Sequence, residues 1–402
     1  MKITETCLLE DRGIIYIEGP DTKEFLQNIV TNNLDFVSET RSIYSSILTP
    51  QGKYLFDFIL IKHKKGYLID CEKNELDNLI KILNLYKLRS KIEILNLTNE
   101  FTVAAICYEK FEEISKPILK EIFLKTKFVP NEKDRVGLTV KFREDPLLLD
   151  PRNIKLGARL ISNLEKLYLS LKKLDLKIVD RNIYYRKSFD LGIAQINSSK
   201  IKDKIFGIEC NFEELNAIDF KKGCYIGQEN TSRIKLRSKL KRRLLPLKLI
   251  KGKINENEII KFKNIEVGRI LIDQPHPFAI VKLKDPDINE FLNENSIKCF
   301  LIAVKRFRMP SNQNPLVFAQ DGISIALDMP LRRNTHAQLE VLDEMVINFG
   351  GRVNLVKDAR LSRSSFDRMY PRKDDWLAVK SKYDPNGRFR SKLSARLGLN
   401  SG

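Results

Sequence analysis

The segment KKGCYIGQEN, residues 221–230, contains the residues of this sequence that are best suited to chemistry. Cys224 lies between two glycines, and Lys221 and Lys222 precede it. Glycine adopts positive φ angles and permits close backbone approach, so a cysteine on such a turn can contact a ligand directly. Neighbouring lysines favour the thiolate, the reactive form of cysteine. The alternative is a free cysteine that packs as a small hydrophobic residue, which is common in proteins.

Length and composition restrict the class of protein. The 402 residues predict two or three domains, and a hydrophobic content of 43% is enough for real cores. No apolar run reaches the roughly 18 residues of a membrane span, and the N-terminus has no apolar signal core. The cysteines form no C-x-x-C pair and the histidines lack metalloprotease spacing, so no metal site is predicted. Scattered thiols without a leader predict a cytoplasmic protein.

The net charge of +19 favours an anionic partner, such as RNA or a polyanionic small molecule. A lysine-rich chain from an AT-rich genome explains the same charge without any partner. No nucleic-acid motif is present, so an RNA-binding module is the weaker hypothesis.

The first hundred residues predict alternating strands and amphipathic helices. Residues 21–34 predict a helix with Asp21 as its N-cap. Strand-like runs follow, and their interruptions at residues 50–52 and 65–66 predict hairpins. Residues 74–88 predict a second amphipathic helix. The apolar face of the first helix consists of Phe25, Leu26, Ile29 and Val30.

Basic residues alternate with others over RIKLRSKLK, residues 233–241, which is the period of a strand with one basic face. Further short strands follow, so residues 240–300 predict a small β-barrel or sandwich.

The last hundred residues have a different character, because lysine predominates among the basic residues before about residue 300 and arginine after it. This change suggests a fused segment. A strand at 322–330, a helix from Thr335 to Phe349 and a strand at 352–356 predict a β-α-β unit of an α+β domain. Thr335 and Gln338 form a predicted capping box, and Phe349 belongs to the predicted inner face of the helix.

The segment KGCYIGQE resembles the signature of the folate-binding YgfZ/IBA57 family, whose members are relatives of the glycine-cleavage T-protein and assist iron–sulfur cluster assembly. The resemblance extends in family order over about residues 1–300. It includes GPDTKEFLQNIVTNNL, SSILTPQGKYLFDF, LYKLRSKIEI and FGIECNFEELNAIDF. It implies an α+β, GcvT-like fold that binds tetrahydrofolate in a central cavity.

The resemblance also implies roles for single residues. Asp57 matches a carboxylate that faces the pterin, and a carboxylate can accept two hydrogen bonds from an aminopyrimidine edge. Glu209 and Asn211 match a second polar pair near the folate. Arg186 matches a basic residue of an R-x-x-x-G-I segment. The plainer readings are a strand-edge aspartate for Asp57 and a surface arginine for Arg186.

Cys224 matches the family's distinctive cysteine, and Lys222 before it is assigned with it to the chemistry. The remaining predicted ligand contacts of this motif are Tyr225, Gln228, Glu229 and Arg233. Three roles remain open for Cys224, namely transient cluster ligation, reaction with a folate-borne one-carbon unit, or a redox disulfide. T-protein aminomethyltransferases carry adjacent acids at the hairpin, whereas Phe56 precedes a single Asp57 here, and they lack the cysteine segment.

The segments MYPR-x-x-x-W and DP-x-G-x-F-x-S, within about residues 300–400, resemble the C-terminal part of FAD-linked aldonolactone and decaprenylphosphoryl-ribose oxidases. Lys357 matches a substrate-facing lysine of these enzymes. No glycine-rich pyrophosphate loop precedes residue 300, so FAD binding is not expected.

These observations predict three domains: a GcvT-like folate-binding domain at 1–235, a small β-barrel at 236–300 and an oxidase-like fragment at 301–402. The predicted function is that of a tetrahydrofolate-binding accessory factor for 4Fe–4S cluster assembly or repair, with iron–sulfur client or assembly proteins as partners. The alternatives are a folate-dependent aminomethyltransferase, which Phe56 and Cys224 argue against, and an FAD-linked oxidoreductase based on the C-terminal part. Classical turnover is not required for the predicted role.

Overall fold

The computed structural model describes residues 1–126, 135–236, 240–262, 265–283, 301–307 and 314–400. The chain divides into two compact units, residues 1–283 and 284–402, which we call the first unit and the second unit. Both units mix helices with strands, as the α+β prediction requires. The three predicted domain boundaries remain predictions.

Two large sheets form the centre of the first unit. Their strands are β1 (Glu5–Leu8), β2 (Arg12–Glu18), β3 (Ile43–Leu48), β4 (Tyr54–His63), β5 (Gly66–Glu72), β6 (Glu93–Asn96), β7 (Phe101–Ile106), β8 (Thr139–Phe142), β9 (Asp145–Leu149), β10 (Ala158–Asn163) and β11 (Lys177–Val179). The antiparallel five-stranded sheet has the order β3-β4-β5-β2-β6. The six-stranded sheet has the order β11-β1-β7-β10-β9-β8, in which only the β1–β11 pair is parallel.

Six α-helices accompany these sheets in the described part of the first unit. They are α1 (Thr22–Ile29), α2 (Leu76–Lys87), α3 (Tyr108–Thr126), α4 (Leu164–Lys173), α5 (Asn182–Asp190) and α6 (Gln228–Leu236). Helices α1 and α2 pack on the five-stranded sheet, and α3 and α4 pack on the six-stranded sheet. The inner faces of the two sheets pack against each other, which gives four layers in the order helix, sheet, sheet, helix.

Local sequence signals predicted much of this arrangement. The hairpins at 50–52 and 65–66 join β3 to β4 and β4 to β5. The two predicted helices are α1 and α2, although α1 ends at Ile29 and not at residue 34. The predicted apolar face of α1 is buried. No helix in the described ranges combines the length and apolar character that crossing a bilayer requires.

Two local predictions are wrong. The predicted basic strand at 233–241 begins as the end of helix α6, and its residues 237–239 lie outside the described part. Asp21 does not cap α1 with its side chain, because its carboxylate accepts a hydrogen bond from the backbone N–H of Lys91 at 2.6 Å.

A smaller four-stranded antiparallel sheet completes the first unit. Its strands are β12 (Arg242–Pro246), β13 (Ile259–Phe262), β14 (Ile265–Ile272) and β15 (Phe278–Lys282), in the order β12-β15-β14-β13. Within the described residues this sheet is open, and β12 and β13 are its edges. The short strands agree with the prediction for this region, and apolar residues of the sheet join the core between the two large sheets.

The second unit contains β16 (Leu301–Phe307), β17 (Gly322–Asp328), α7 (Thr335–Asn348), α8 (Arg363–Met369), α9 (Lys373–Tyr383) and α10 (Lys392–Arg396). The predicted strand and helix are β17 and α7. The predicted strand at 352–356 is wrong, because a short 3-10 helix occupies 355–357, and β17 pairs with β16 instead. Thr335 forms no capping box, since its hydroxyl bonds to Arg332 and Pro330. Phe349 is 81% exposed.

A charged cluster lies between the two large sheets, and it consists of Arg12, Asp70, Asp150, Arg152, Arg159, Tyr184 and Gln195. Every member is at least nine-tenths buried. The carboxylate of Asp70 on β5 accepts hydrogen bonds from Arg12 on β2, at 2.6 Å, and from Arg159 on β10. Arg159 therefore joins the six-stranded sheet to the five-stranded sheet by an ion pair that solvent does not reach.

The same cluster extends to Asp150, which pairs with Arg152 at 2.6 Å. The Tyr184 hydroxyl and Gln195 take further donors of Arg159. Burial alone would raise the pKa of both carboxyls. The arginines outweigh it, so the pKa of Asp70 is lowered and that of Asp150 falls to about 2.

We expect Asp70→Asn to lower the free energy of unfolding of the first unit by about 3–5 kcal/mol, because it leaves two arginines buried with less compensation. Asp203→Asn is the control, since Asp203 forms an exposed ion pair with Lys53, and it should cost less than about 1 kcal/mol. Hydrogen–deuterium exchange of peptides from β5 and β10 in urea would report on the first unit alone. Equal effects of the two substitutions would contradict the assigned role.

The pH dependence of stability should carry the same signature. A carboxyl whose pKa is lowered by folding stabilises the native state above its unfolded pKa and loses that effect as pH falls through the folded pKa. The stability contributed by Asp150 should therefore disappear between its ordinary pKa of 3.8 and about 2.

Candidate functional site

The turn between β3 and β4 forms the base of the candidate site. Thr49 and Gly52 close it, with the Gly52 N–H donating to the Thr49 carbonyl at 2.8 Å. Gly52 has a φ of +83°, which side chains adopt only with strain. The turn also contacts the segment around Gly207, whose N–H donates to the Gly52 carbonyl at 3.1 Å.

The cysteine segment packs directly on this turn. Gly227 has a φ of +85°, and a Cβ placed there would lie 2.6 Å from the Thr49 carbonyl oxygen. The Asn230 side chain donates to the Gln51 carbonyl at 2.9 Å, and α6 begins between these two contacts at Gln228. The predicted need for glycine is therefore met at 227. Gly223 has open space around it and no positive φ.

Lys222 anchors the segment from the other side. Its ammonium donates to the carbonyls of Gln27, Val30 and Asn32 at 2.7, 2.6 and 3.0 Å, at and just beyond the end of α1. A positive charge is favourable at the C-terminus of a helix. Burial lowers the pKa of Lys222 to about 8, yet three acceptors require three N–H donors, which only the ammonium has. No donor is left for the Cys224 thiolate.

Tyr225 is the second anchor of the segment. It is 7% exposed, and the Lys222 ammonium lies 5.1 Å from the centre of its ring. Burial raises the pKa of Tyr225 to about 12. Its hydroxyl is buried and accepts or donates no hydrogen bond within the described part of the chain. Tyr225 therefore holds the segment mainly by packing.

Cys224 lies between these anchors and is exposed. The other cysteines in the described ranges, Cys7, Cys71, Cys107 and Cys210, are buried. Burial raises the pKa of all four thiols, to about 12 for Cys71. Cys224 is thus the accessible thiol of the described residues. It lies on a short arch, residues 222–227, whose two ends are fixed by the hydrogen bonds of Lys222 and by the packing of Gly227.

Asp57 lies on β4, which starts two residues after the turn. It is half-buried, and its two carboxylate oxygens accept hydrogen bonds from the hydroxyls of Tyr44, at 2.8 Å, and Tyr54. Burial and the Asp57 charge raise the pKa of both tyrosines well above the usual value, so both remain donors. The Phe212 ring packs against both tyrosine rings, with centroids 5.8 and 5.9 Å away.

Glu209 and Asn211 precede Phe212 and are held by strand β12. Glu209 is buried and accepts hydrogen bonds from the Phe206 N–H and from Arg242, both at 2.9 Å. The Asn211 amide donates to the Leu244 carbonyl at 2.7 Å. Both predicted ligand contacts thus have protein partners, and they place the ring of Phe212 beside the Asp57 tyrosines.

The remaining predicted site residues are more exposed. Glu229 and Arg233 pair with each other along α6, at 81% and 52% exposure of their side chains. Gln228 is half-buried at the start of the same helix. Arg186 is exposed on α5. In the second unit Lys357 is exposed as well.

The structure therefore brings the cysteine segment and the hairpin of Asp57 together, and it reveals partners that the sequence did not indicate. Tyr44, Tyr54, Phe212 and Arg242 were missed. Asp57 pairs with Ser46 in the β3–β4 ladder, which places Tyr44 diagonally across from it. A register shift after Ile47 hides this relation from a count of residues outward from the turn. No three His, Cys, Asp or Glu side chains of the described part could share a metal ion.

We expect Gly227→Ala to destabilise the first unit by about 1–3 kcal/mol, because alanine is strained at this φ and its Cβ would displace the turn. Gly223→Ala is the matched control in the same segment and should change stability by less than about 0.5 kcal/mol. Thermal unfolding measures the first effect. The alkylation rate of Cys224, followed by peptide mass spectrometry, reports displacement of the arch. Similar results for both variants would contradict the packing described here.

No protein-family model matches the chain. Its N-terminal part is 29% identical over 266 residues to the mitochondrial iron-sulfur cluster assembly factor IBA57 homolog of Dictyostelium discoideum, covering 60% of this chain and 61% of that protein. The Neurospora crassa homolog is 31% identical over 247 residues, covering 59% and 52%. The mouse protein is 27% identical over 261 residues, covering 61% and 66%. The chain thus spans between about half and two thirds of these relatives.

The C-terminal part is similar to a different protein. It is 39% identical over 100 residues to the decaprenylphosphoryl-β-D-ribose oxidase of Mycolicibacterium smegmatis, which covers 25% of this chain and 22% of that enzyme. The resemblance predicted for this part is confirmed.

The prediction of a cytoplasmic protein is contradicted, because the IBA57 relatives are mitochondrial proteins. Scattered free thiols separate reducing from oxidising compartments. They do not separate the cytoplasm from a reducing organelle, which is where the inference failed.

The fold also has a counterpart among solved structures. The glycine cleavage system aminomethyltransferase T of Bartonella henselae superimposes with a TM-score of 0.53, at 12% identity, and covers 70% of this chain and 80% of that one. At this identity the likeness concerns the fold alone. Together these matches confirm that the N-terminal part of the chain resembles the YgfZ/IBA57 family and has its GcvT-like fold.

Proposed function

We propose that the first unit assists the assembly or repair of 4Fe–4S clusters and that Cys224 is the thiol that contacts the cluster cargo. The names of the IBA57 relatives support the general role. The observation that carries the proposal is the presentation of Cys224, an exposed thiol whose neighbours Lys222 and Tyr225 are both buried. A thiolate is the usual ligand of iron in such clusters.

The anchors give Cys224 a defined position without occupying its sulfur. The Lys222 ammonium donates its three hydrogen bonds to backbone carbonyls, and Tyr225 packs inward. The Cys224 thiol therefore remains free to bind a soft metal ion. One protein thiol cannot supply all the protein ligands of a 4Fe–4S cluster. Cys224 therefore acts as a transient ligand, with the other ligands supplied by a client or assembly protein.

We also propose that tetrahydrofolate binds beside Asp57. The carboxylate oxygens accept bonds from Tyr44 and Tyr54 and each has a second lone pair, so Asp57 can also accept from an aminopyrimidine edge. The rings of Tyr44, Tyr54 and Phe212 provide a flat apolar surround that suits a pterin. Folate would supply a one-carbon carrier at this place.

Glu209 and Asn211 take part in this proposal as positioning residues. Their side chains bind β12 and thereby fix Phe212, which touches both tyrosines of the Asp57 site. No observation favours aminomethyl transfer over this function, since the aminomethyltransferase likeness concerns the fold alone.

We expect Asp57→Asn to weaken tetrahydrofolate binding by about 1.5–3 kcal/mol, the value of a hydrogen bond to a charged group. Calorimetric titration under reducing conditions measures this directly. Asp77→Asn on the exposed face of α2 is the control and should bind like the wild type. A well-folded wild-type protein that binds no tetrahydrofolate would refute the folate part of the proposal and leave the thiol part untouched.

We expect Cys224→Ser to fold and bind folate normally but to lose support of 4Fe–4S enzymes in cells that lack the endogenous factor. Serine keeps the size of the side chain and loses the soft sulfur ligand. Cys107→Ser is the control, because Cys107 is buried and accepts the Lys110 N–H just before α3, a place that serine fills well. Full enzyme activity with Cys224→Ser would exclude the thiol from the function.

A further inference from the structure

Strand β11 leaves one edge of the six-stranded sheet open. It pairs in parallel with β1 through Lys177 and Val179, and the Lys177 N–H donates to the Thr4 carbonyl at 2.9 Å. Alternate residues of a strand direct their backbone groups to opposite sides. The N–H and C=O of Ile178 therefore point away from β1, toward the open edge. No described strand pairs with this edge.

A groove of about 380 Å³ lies beside the open edge, between β11 and helix α4. Its lining is mostly apolar and consists of Tyr168, Leu171, Lys172, Asp175, Leu176 and Ile178. Ile178 and Tyr168 are 48% and 49% exposed, as large side chains that neither the core nor the described loops cover. An edge with free backbone groups and an adjoining apolar groove is the geometry that accepts an added strand.

The charge around this edge is positive. Lys172 and Lys173 end helix α4 and Lys177 follows in β11, and none of the three forms an ion pair within the described residues. Glu5 stands opposite Lys177 in the ladder, but its carboxylate is directed to Lys2 at 4.0 Å. The lysines are therefore available to carboxylates of a partner.

We propose that the edge formed by β11 and the α4 groove binds an acidic extended segment of a partner protein, which adds as a seventh strand. Ile178 bonds to the backbone of that segment. Ile178 lines the groove together with residues of α4, and Lys177 faces the opposite side of the sheet. The partner segment therefore alternates apolar residues, which enter the groove, with aspartate or glutamate, which meet Lys177.

The lysines also explain why the edge does not pair with a second copy of this chain. Such pairing would bring two sets of lysines together, with Asp175 as the single acidic residue lining each groove. Lysines at sheet edges are a known means of preventing self-association. The same charges attract an acidic strand, so they select the partner as well as exclude the copy.

The inference is independent of the proposed function. The edge belongs to the six-stranded sheet, whereas Asp57 lies on the five-stranded sheet and Cys224 packs near its β3–β4 turn. Loss of folate binding or of cluster support would leave it standing, and its own failure would leave those proposals standing.

The test uses a short fluorescein-labelled peptide that alternates valine with glutamate, and a matched peptide that alternates valine with lysine. Anisotropy with the full-length protein should show saturable binding of the acidic peptide that weakens with salt. Ile178→Pro removes the outward N–H, which an edge strand tolerates, and should reduce affinity at least about tenfold. Lys177→Glu should do the same, and Lys116→Glu on α3, near the opposite edge of the sheet, should not.

Three results would overturn the proposal. They are no saturable binding of the acidic peptide, equal binding of both peptides, or full affinity in a folded Ile178→Pro variant. Circular dichroism checks the folding of that variant, and Lys177→Glu decides the question where it does not fold. A wild-type dimer that Ile178→Pro disrupts would identify a second copy as the occupant instead.

Discussion

The first unit depends on the ion pairs that the Asp70 carboxylate forms with Arg12 and Arg159. This carboxylate lies fully buried between Arg12 of its own sheet and Arg159 of the opposite sheet, so it joins the two inner layers by charge. An ion pair out of contact with water tolerates little displacement, since the cost of taking charges out of water is recovered only with good geometry. The hydroxyl of Tyr184 and the amide of Gln195 complete the partners of Arg159, which makes the relative position of the sheets specific.

Arg152 connects this charged cluster to the candidate site. Arg152 pairs with Asp150 and lies over the Tyr44 ring at 5.4 Å, and Tyr44 donates to Asp57. The cluster contains three arginines and two aspartates, so a positive charge remains near the aromatic residues around Asp57. Tyr44 thus connects the position of the Asp57 carboxylate to the packing between the sheets.

Sequence reasoning succeeded where the signal was local. The hairpins and helices α1 and α2 follow from turn residues and apolar periodicity within a few residues of each other. It failed where a distant group decided the outcome. Asp21 has the residue type of an N-cap, but the Lys91 N–H takes its carboxylate. The alternation at 233–241 is compatible with a strand, yet the packing of Gly227 on the turn starts a helix at Gln228.

The candidate site shows the same difference between local signals, which were predicted, and contacts between distant residues, which were not. The glycine at 227 was predicted from its own chemistry, and it serves the close approach expected of it. Lys222 was predicted to act on its neighbour in sequence, but its partners are carbonyls at and just beyond the end of α1, at least 190 residues away. Glu209 was assigned to a ligand, although Arg242 binds it. A sequence names the groups that carry charge, and only the fold decides which charge each one meets.

One hairpin positions both groups to which we assign chemistry. Strand β4, which carries Asp57, starts at the turn whose Thr49 carbonyl would touch any side chain at position 227. The arch of Cys224 therefore rests on the same turn from which the Asp57 strand leaves. A movement of the turn changes the position of the carboxylate and of the thiol together. Glycine at 52 and 227 makes this contact close enough to transmit such a movement, since a larger residue at either position would hold the two segments apart.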